Sequence, residues 1–272
     1  MADMFYAKGA GNNGYIKNLE VLDFNNLDGQ CGMFQMQLYK TAAGKYYLYG
    51  SCFGGSHQNG VMISEITDPE HTRFVKYFEL LDPEEYPTTS CPKLQVADDL
   101  LICAQTAGSG PGALVEQSEL QNMKCQVGIR IYSLKEDPEN PRFLGYWDCG
   151  VPHSIGVHRF MYNGGPYVYL SCEHDRFEGM IMRIVDISDP ANPKEVGNWW
   201  SPEQFVDGYP GRTVDHHAAH VPAFMDKGWM HGPPFRRDDG IMMCGYGGDG
   251  LYVLDTKDVT RPRCIGHLQL QP

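Results

Sequence analysis

The sequence predicts an all-β fold, a β-propeller built of four-stranded antiparallel blades. Three observations lead to this prediction. The 272 residues include 31 glycines and 18 prolines, which divide the chain into short apolar stretches. Four of these stretches repeat one pattern, a strand, a turn at an aspartate and a second strand. No segment of useful length has the apolar period of a helix, so the repeating unit consists of strands.

The repeated unit is an antiparallel hairpin. An aspartate side chain in a turn accepts hydrogen bonds from the backbone two residues on, and a proline after it fixes φ near about −65°. Three of the four turns have that proline, and the turn aspartates recur at intervals of 69, 52 and 69 residues. The hairpins begin at Val61, Ile129, Met182 and Leu251 and turn at Asp68, Asp137, Asp189 and Asp258.

Two further strand-like runs precede each hairpin, so each repeat contains the four strands of a propeller blade. The runs are MFQMQLY with KYYLYGSC, PKLQVA with DLLICAQ, SIGVHRFMY with PYVYLSCE, and AAHVPAFM with GIMMCGYG. We expect a single domain over 1–272, with blades at roughly 30–85, 86–149, 150–205 and 212–272 and insertions at 106–126 and 224–240. The run LEVLDF at 19–24 predicts one more strand, the outer edge of another blade.

The third hairpin, IVDISDPANPKEVG, resembles the LVIVD repeat of propeller proteins. The other three hairpins are degenerate copies of it, and the resemblance covers roughly residues 30–272. It implies propeller architecture and no particular activity, because the repeat occurs in proteins of unrelated function.

Composition excludes several classes of protein and partner. The net charge of −12 disfavours nucleic acid, because a polyanion would be repelled. No run of 18 apolar residues is present, and the first residues lack the basic start and apolar stretch of a secretory signal. The nine cysteines form no CxxC pair and mostly lie in apolar runs, which is typical of buried thiols. We therefore expect a cytoplasmic protein that contacts neither nucleic acid nor membrane.

Four blades and one extra strand make an unfinished ring. An open arc exposes strand edges and apolar blade faces, which natural proteins avoid. Three arrangements would resolve this: a second subunit that supplies the missing blades, a second copy of the chain that closes a larger ring, or a small propeller closed on itself. The pattern favours a separate subunit.

Polar residues recur at one register of the inner strands, which line the channel of a propeller. They are Gln35 or Gln37, Gln95, His158 and His220. Buried polar groups are costly unless they bind one another, water, a ligand or a metal. On an extended segment His216 and His220 share one face, so we expect them to hold a divalent transition metal together with His158.

Zinc, iron, copper and nickel all suit such imidazole ligands, and Asp215 would orient one of the rings. Acid–base chemistry without a metal and a purely structural polar column are the alternatives. The isolated His57, His71, His231 and His267 are interpreted as satisfied structural residues.

Residues that follow the second strand of each blade would reach the same channel mouth. We expect Glu173, His153 and His174 to transfer protons there, because carboxylates and imidazoles in a partly desolvated site are suited to acid–base catalysis. The residues expected to contact a substrate are Gln35, Gln37, Gln95, His217 and Tyr246.

The resulting hypothesis is a metal-dependent enzyme of lyase or hydratase type that acts on a small apolar or aromatic molecule at the channel mouth. A redox-metal oxidase and a non-catalytic binding or scaffold propeller are the alternatives.

Overall fold

The computed structural model describes residues 21–30, 33–52, 59–107, 122–151, 155–205 and 229–269. These residues form antiparallel sheets joined by turns, and the only helical elements in them are two short 3-10 turns. Each sheet is one blade of four consecutive strands, supplemented in the second blade by a two-residue strand. The prediction of an all-β propeller architecture is confirmed.

Blades 1 and 2 occupy the N-terminal half. Blade 1 contains β1 (Met33–Lys40), β2 (Tyr46–Cys52), β3 (Gly60–Glu65) and β4 (Arg73–Glu79), paired in that order. Blade 2 contains β5 (Thr89–Ser90), β6 (Leu94–Ala97), β7 (Leu100–Ala107), β8 (Gly128–Ser133) and β9 (Arg142–Asp148). Both β5 and β6 pair with β7.

Blades 3 and 4 repeat the same order. Blade 3 contains β10 (Val157–Met161), β11 (Tyr167–Glu173), β12 (Met180–Asp186) and β13 (Lys194–Trp199). Blade 4 contains β14 (Phe235–Arg236), β15 (Ile241–Tyr246), β16 (Gly250–Asp255) and β17 (Arg263–Leu268).

The third strand of every blade carries a register shift at the same place. It falls after Ile63, Ile131, Ile184 and Val253, between the third and fourth strands. Because a bulge bends a strand at a defined residue, the four shifts identify equivalent positions in the blades. The internal repeat predicted from the turn aspartates is therefore present in the backbone.

The core lies between the blades. Tyr49 and Ile63 of blade 1 pack against Leu101 of blade 2, and the next residue of β7, Ile102, packs against blade 3. Neighbouring residues of a strand point to opposite faces of the sheet. Each inner blade consequently buries both faces, which explains why these strands read as nearly continuous apolar runs.

Glycines in two outer strands admit the turn of the following blade. A Cβ at Gly145 of β9 would collide with the carbonyl oxygen of Pro190 in the blade 3 turn. A Cβ at Gly197 of β13 would collide in the same way with the carbonyl oxygen of Val259 in the blade 4 turn. At both of these interfaces the backbone of one blade therefore contacts the backbone of the next blade.

One prediction about strands was wrong. The described part of the strand predicted at 19–24 is not a strand; instead, the Asp23 carboxylate accepts hydrogen bonds from the Thr72 backbone N–H (2.7 Å) and hydroxyl (2.5 Å). Side-chain hydrogen bonds, rather than backbone pairing with the edge strand, therefore join this segment to blade 1. In blade 4 the described strand Phe235–Arg236 pairs with β15, and the run predicted at 218–225 lies outside the described residues.

The expectation of free thiols is wrong for Cys52, which is in a disulfide whose other half lies outside the described residues. The remaining seven described cysteines are free. No helix in the described part of the chain is long and apolar enough to cross a membrane.

Candidate functional site

The inner strands of blades 1 and 3 share an irregularity near the channel mouth. In β1 the pairing shifts between Met33 and Met36, and in β10 it shifts between Val157 and Arg159. A bulge re-aims the side chains of the extra residues.

Three residues occupy equivalent inner positions in blades 1, 2 and 3. In each of these blades one residue of the inner strand pairs with the same position of the second strand. Gln35, Lys93 and Arg159 are the residues directly before it in the sequence. Those second-strand positions are Gly50, Cys103 and Leu170, each paired with the third-strand residue that directly precedes the last residue before the shift. Three blades thus present a polar residue at one level of the channel.

Side-chain contacts join these strands across the blade interfaces. The Gln35 Oε1 atom accepts a hydrogen bond from the Leu94 backbone N–H at 3.0 Å. The Lys93 Nζ atom lies 3.6 Å from the centroid of the Phe34 ring. The Gln95 Nε2 atom donates to the carbonyl oxygen of Phe160 at 3.4 Å.

Blade 4 contributes His231 and Trp229. An isolated β-bridge between Met230 and Tyr246 fixes this segment at the end of β15. The ring centroids of His231 and His158 lie 4.9 Å apart, and Trp229 lies 5.6 Å from His231. Two imidazoles from different blades therefore lie side by side at the mouth.

Positive charge is concentrated at this site. Lys93 is only 5% exposed, and burial together with repulsion from Arg159 lowers its pKa to about 8. Burial, Arg159 and Lys93 lower the pKa of His231. Among the described residues neither Lys93 nor Arg159 forms an ion pair, and the buried Arg159 Nε atom has no hydrogen-bond partner. A chain with a net charge of −12 thus has a cationic channel mouth.

Glu173 ends β11 on the same side of blade 3. It is 1% exposed, and its Oε2 atom accepts a hydrogen bond from the Ile155 backbone N–H at 3.1 Å. Its backbone oxygen accepts from Arg183 Nη1 at 2.8 Å. Arg183 also donates to the carbonyl oxygen of Cys149 at 2.7 Å and pairs with Glu195. The carboxylate is therefore held in one place by backbone contacts.

His174 follows Glu173 at the rim of the mouth. Its Nδ1 atom lies 2.7 Å from an Asp175 oxygen, and its ring packs edge-on against Phe177. Burial and the nearby Arg183 cation lower the pKa of His174.

The predicted site residues divide into three groups. Gln35, Gln95 and His158 lie on the inner strands that meet at the cationic mouth, and Gln37 is half-buried opposite Tyr49 in β2. The placement of Tyr246 in the channel was wrong: it is fully buried between blades 3 and 4, where its hydroxyl donates to the carbonyl oxygen of Trp199. The remaining predicted residues lie outside the described ranges; they are His153, Asp215, His216, His217 and His220.

The predicted metal triad cannot be assembled from described residues, since only His158 is among them. In that part of the chain no group of three or more potential metal ligands is present. Among the described residues β14 is the blade 4 strand that pairs with β15, and His220 lies outside them.

Sequence reasoning missed Lys93, Arg159 and His231. Each adjoins the start of an inner strand, in CPKL, VHRF and WMHGPP. Lys93 and Arg159 lie outside the strand register that carries Gln95 and His158, so the recurring polar column does not include them. His231 stands alone in the sequence, which is typical of a satisfied structural residue.

No protein-family model matches the sequence, and no curated protein matches it significantly. Solved structures are similar in fold. A candidate 6-phosphogluconolactonase from Bacteroides uniformis is 8% identical, with a TM-score of 0.52 over 87% of this chain and 55% of its own. A protein from Lactobacillus plantarum is 14% identical, with a TM-score of 0.49 over 83% and 53%. The periplasmic gluconolactonase PpgL of Pseudomonas aeruginosa is 12% identical, with a TM-score of 0.41 over 66% and 40%.

The chain spans about half the length of the first two of these structures. At such low identities the likeness concerns the fold alone. None of these matches identifies the LVIVD repeat, so that resemblance remains one of architecture.

Proposed function

We propose that the protein is an enzyme that acts on a small organic anion at the channel mouth. The observation that carries this proposal is the pair of cations Lys93 and Arg159, which face the mouth without an ion-pair partner among the described residues. Buried cations are normally paired, and an unpaired one is costly. A carboxylate or phosphate on a substrate supplies the missing partner through charge-assisted hydrogen bonds.

The flanking side chains suit acid–base chemistry on such a molecule. The lowered pKa of His231 keeps its imidazole neutral and able to accept a proton near pH 7. Phe34 borders Lys93 and Trp229 borders His231, and both rings offer apolar faces to the remainder of the substrate. A lyase or hydratase, which moves a proton next to a carboxylate, fits this set of groups.

A metal-dependent lyase or hydratase, or a redox-metal oxidase, is a second candidate. The contact between the His158 and His231 rings favours it, because two imidazoles from different strands can share one transition-metal ion. The described residues supply only these two ligands, and Lys93 and Arg159 oppose a bare cation beside them. A third ligand would have to come from outside the described ranges, so we assign no step to a metal.

Calorimetric titration tests anion binding, with benzoate and inorganic phosphate as probes. We expect the unsubstituted protein to bind at least one of them, and Lys93→Met and Arg159→Met to weaken binding at least about tenfold, the effect of one lost charged contact. Lys45→Met is the control, since Lys45 is an exposed partner of Glu65 on blade 1. Equal binding by all variants, or no binding of either probe, would contradict the anion site.

Turnover tests the enzymatic part separately. The protein is incubated with a panel of α,β-unsaturated carboxylic acids, and loss of the conjugated chromophore is followed by absorbance. Elemental analysis of the same preparation measures bound metal. Consumption of one acid, abolished in Lys93→Met, supports the lyase or hydratase. Anion binding without turnover of any panel member would point instead to a non-catalytic binding propeller.

A further inference from the structure

Each end blade of the arc exposes large apolar side chains on its outward sheet face, although on blade 1 Met62 of that face is fully buried. On blade 1 the uncovered face carries Met36 and Leu38 of β1, and on blade 4 it carries Phe235 and Leu268. All four side chains are between 54% and 58% exposed. Their counterparts between blades are buried: Leu94, which is equivalent to Met36, is fully covered. Large exposed apolar faces mark sites of association.

One of the two exposed end faces is equivalent to a face that packs on the following blade, and the other is equivalent to a face that packs on the preceding blade. Tyr49 and Ile63 belong to the face of blade 1 that packs on blade 2, and by register Met243 and Val253 are their equivalents on blade 4. Blade 4 therefore ends the arc with a face that receives a following blade. Blade 1 is the first blade of the arc, and its exposed face is equivalent to the face of blade 2 that carries Leu101. In blade 2 that face packs on the preceding blade. The ends of the arc are complementary to each other.

A glycine at the blade 4 end strengthens this complementarity. Gly266 of β17 is opposite Val253, as Gly197 of β13 is opposite Ile184. At Gly197 the carbonyl oxygen of the next blade's turn occupies the space of a Cβ. At Gly266 only Val253 of the same blade lies within 4 Å among the described residues. Blade 4 thus has the notch for a turn, and no turn of the described part of the chain fills it.

The matching turn is present at the other end of the chain. The blade 2 turn packs on blade 1, where the Tyr49 hydroxyl donates to the carbonyl oxygen of Pro138 at 2.6 Å. Pro69 is the equivalent residue of the blade 1 turn, and residues 67–71 are exposed, whereas Pro138, Pro190 and Val259 are partly or fully covered. Blade 1 thus offers a free turn of the kind that Gly266 would accept.

We propose that a second copy of this chain packs on both uncovered faces and closes an eight-bladed ring. The blade 1 turn of each copy would enter the Gly266 notch of the other, and the Phe235 face would cover the Leu38 face. Two identical arcs related by a two-fold axis along the channel bury both ends at once, which a partner with a single complementary face does not do. Two-fold dimers are the commonest assemblies, and eight blades lie within the usual range of propellers.

Native mass measured by light scattering is the first test. We expect twice the 30.6 kDa of one chain. Leu38→Asp and Phe235→Lys should each weaken the dimer at least about tenfold, because each buries an unpaired charge. Phe143→Asp, on a blade whose faces are both covered, is the matched control and should leave the mass unchanged.

Rescue separates lost association from misfolding. In the double variant that carries Leu38→Asp with Phe235→Lys, the new carboxylate of one copy meets the new ammonium of the other, so dimers should return. Gly266→Arg fills the notch on the exposed face of blade 4, leaves Leu38 and Phe235 unchanged, and should also give folded monomers. A folded monomer of the unsubstituted chain, or a dimer unaffected by Leu38→Asp and Gly266→Arg, would overturn the proposal; the monomer would assign the faces to a different chain.

Discussion

The imidazole rings of His158 and His231 lie 4.9 Å apart, although they belong to different blades and are far apart in the sequence. The contact exists because Met230 bridges to Tyr246, which brings the segment before β14 to the start of β10. Lys93 and Arg159 lower the pKa of His231. This group of two cations and two imidazoles, rather than a histidine triad, is the site that the described residues assemble.

The pKa of His231 should report the charge of Lys93. Repulsion from Lys93 and Arg159 contributes to the lowered pKa of His231. Lys93→Met removes one of these charges, so we expect the His231 pKa to rise toward its ordinary value of 6.5. Histidine proton shifts in a pH titration measure it. Lys45→Met should leave this pKa unchanged; an unchanged value in Lys93→Met as well would mean that Lys93 does not act on His231.

Lys93 should also make stability depend on pH. Its pKa of about 8 in the folded protein lies below the 10.5 of an ordinary lysine, so between these pH values the unfolded chain binds the additional proton. The free energy of unfolding therefore rises with pH across that window, and below it the cost of burying the charge is present in full, on the order of 3 kcal/mol.

Urea unfolding of the unsubstituted protein and of Lys93→Met at about pH 7 and about pH 10 checks this expectation. Lys93→Met should be the more stable of the two at the lower pH, and the difference should shrink at the higher pH. Anion binding should weaken as the pH rises through about 8, since the ammonium is lost. A stability difference that is the same at both pH values would contradict the buried charge.

Arg183 should be a principal stabilising residue of blade 3. It is 5% exposed, donates to the carbonyl oxygens of Cys149 and Glu173, pairs with Glu195 and lies 4.7 Å from the Trp147 ring. Arg183→Met leaves two carbonyl oxygens and a carboxylate without their donor, so we expect a loss of about 3–5 kcal/mol.

The matched control for Arg183 is Arg142→Met, which breaks an exposed pair with Glu136 and should cost less than about 1 kcal/mol. Chemical denaturation of both variants gives the comparison. Similar small losses in the two variants would show that the Arg183 network contributes little to folding.

The fold could be predicted from the sequence because its signals are local. The aspartate turns and the alternation of apolar residues act within one hairpin, so they identify blades without knowledge of their neighbours. The site could not be predicted to the same extent. Lys93 was missed because its neighbours come from blades 1 and 3, and the prediction for His220 rests on an apolar run at 218–225 that lies outside the described residues.

The outer-strand glycines provide a test of how the blades meet. Gly197→Ala places a methyl group against the carbonyl oxygen of Val259, where backbone cannot easily move, so we expect a loss of about 1–3 kcal/mol. Gly266→Ala is the equivalent change in blade 4, where the nearest described atom is a Val253 carbon at 3.6 Å, and an isolated chain should tolerate it within about 0.5 kcal/mol.

Thermal unfolding at several protein concentrations measures the stability of both variants. A cost for Gly266→Ala that appears only at concentrations where the chain dimerises would show that a turn enters this notch, whereas equal costs for the two variants at every concentration would mean that the notch is already filled within one chain.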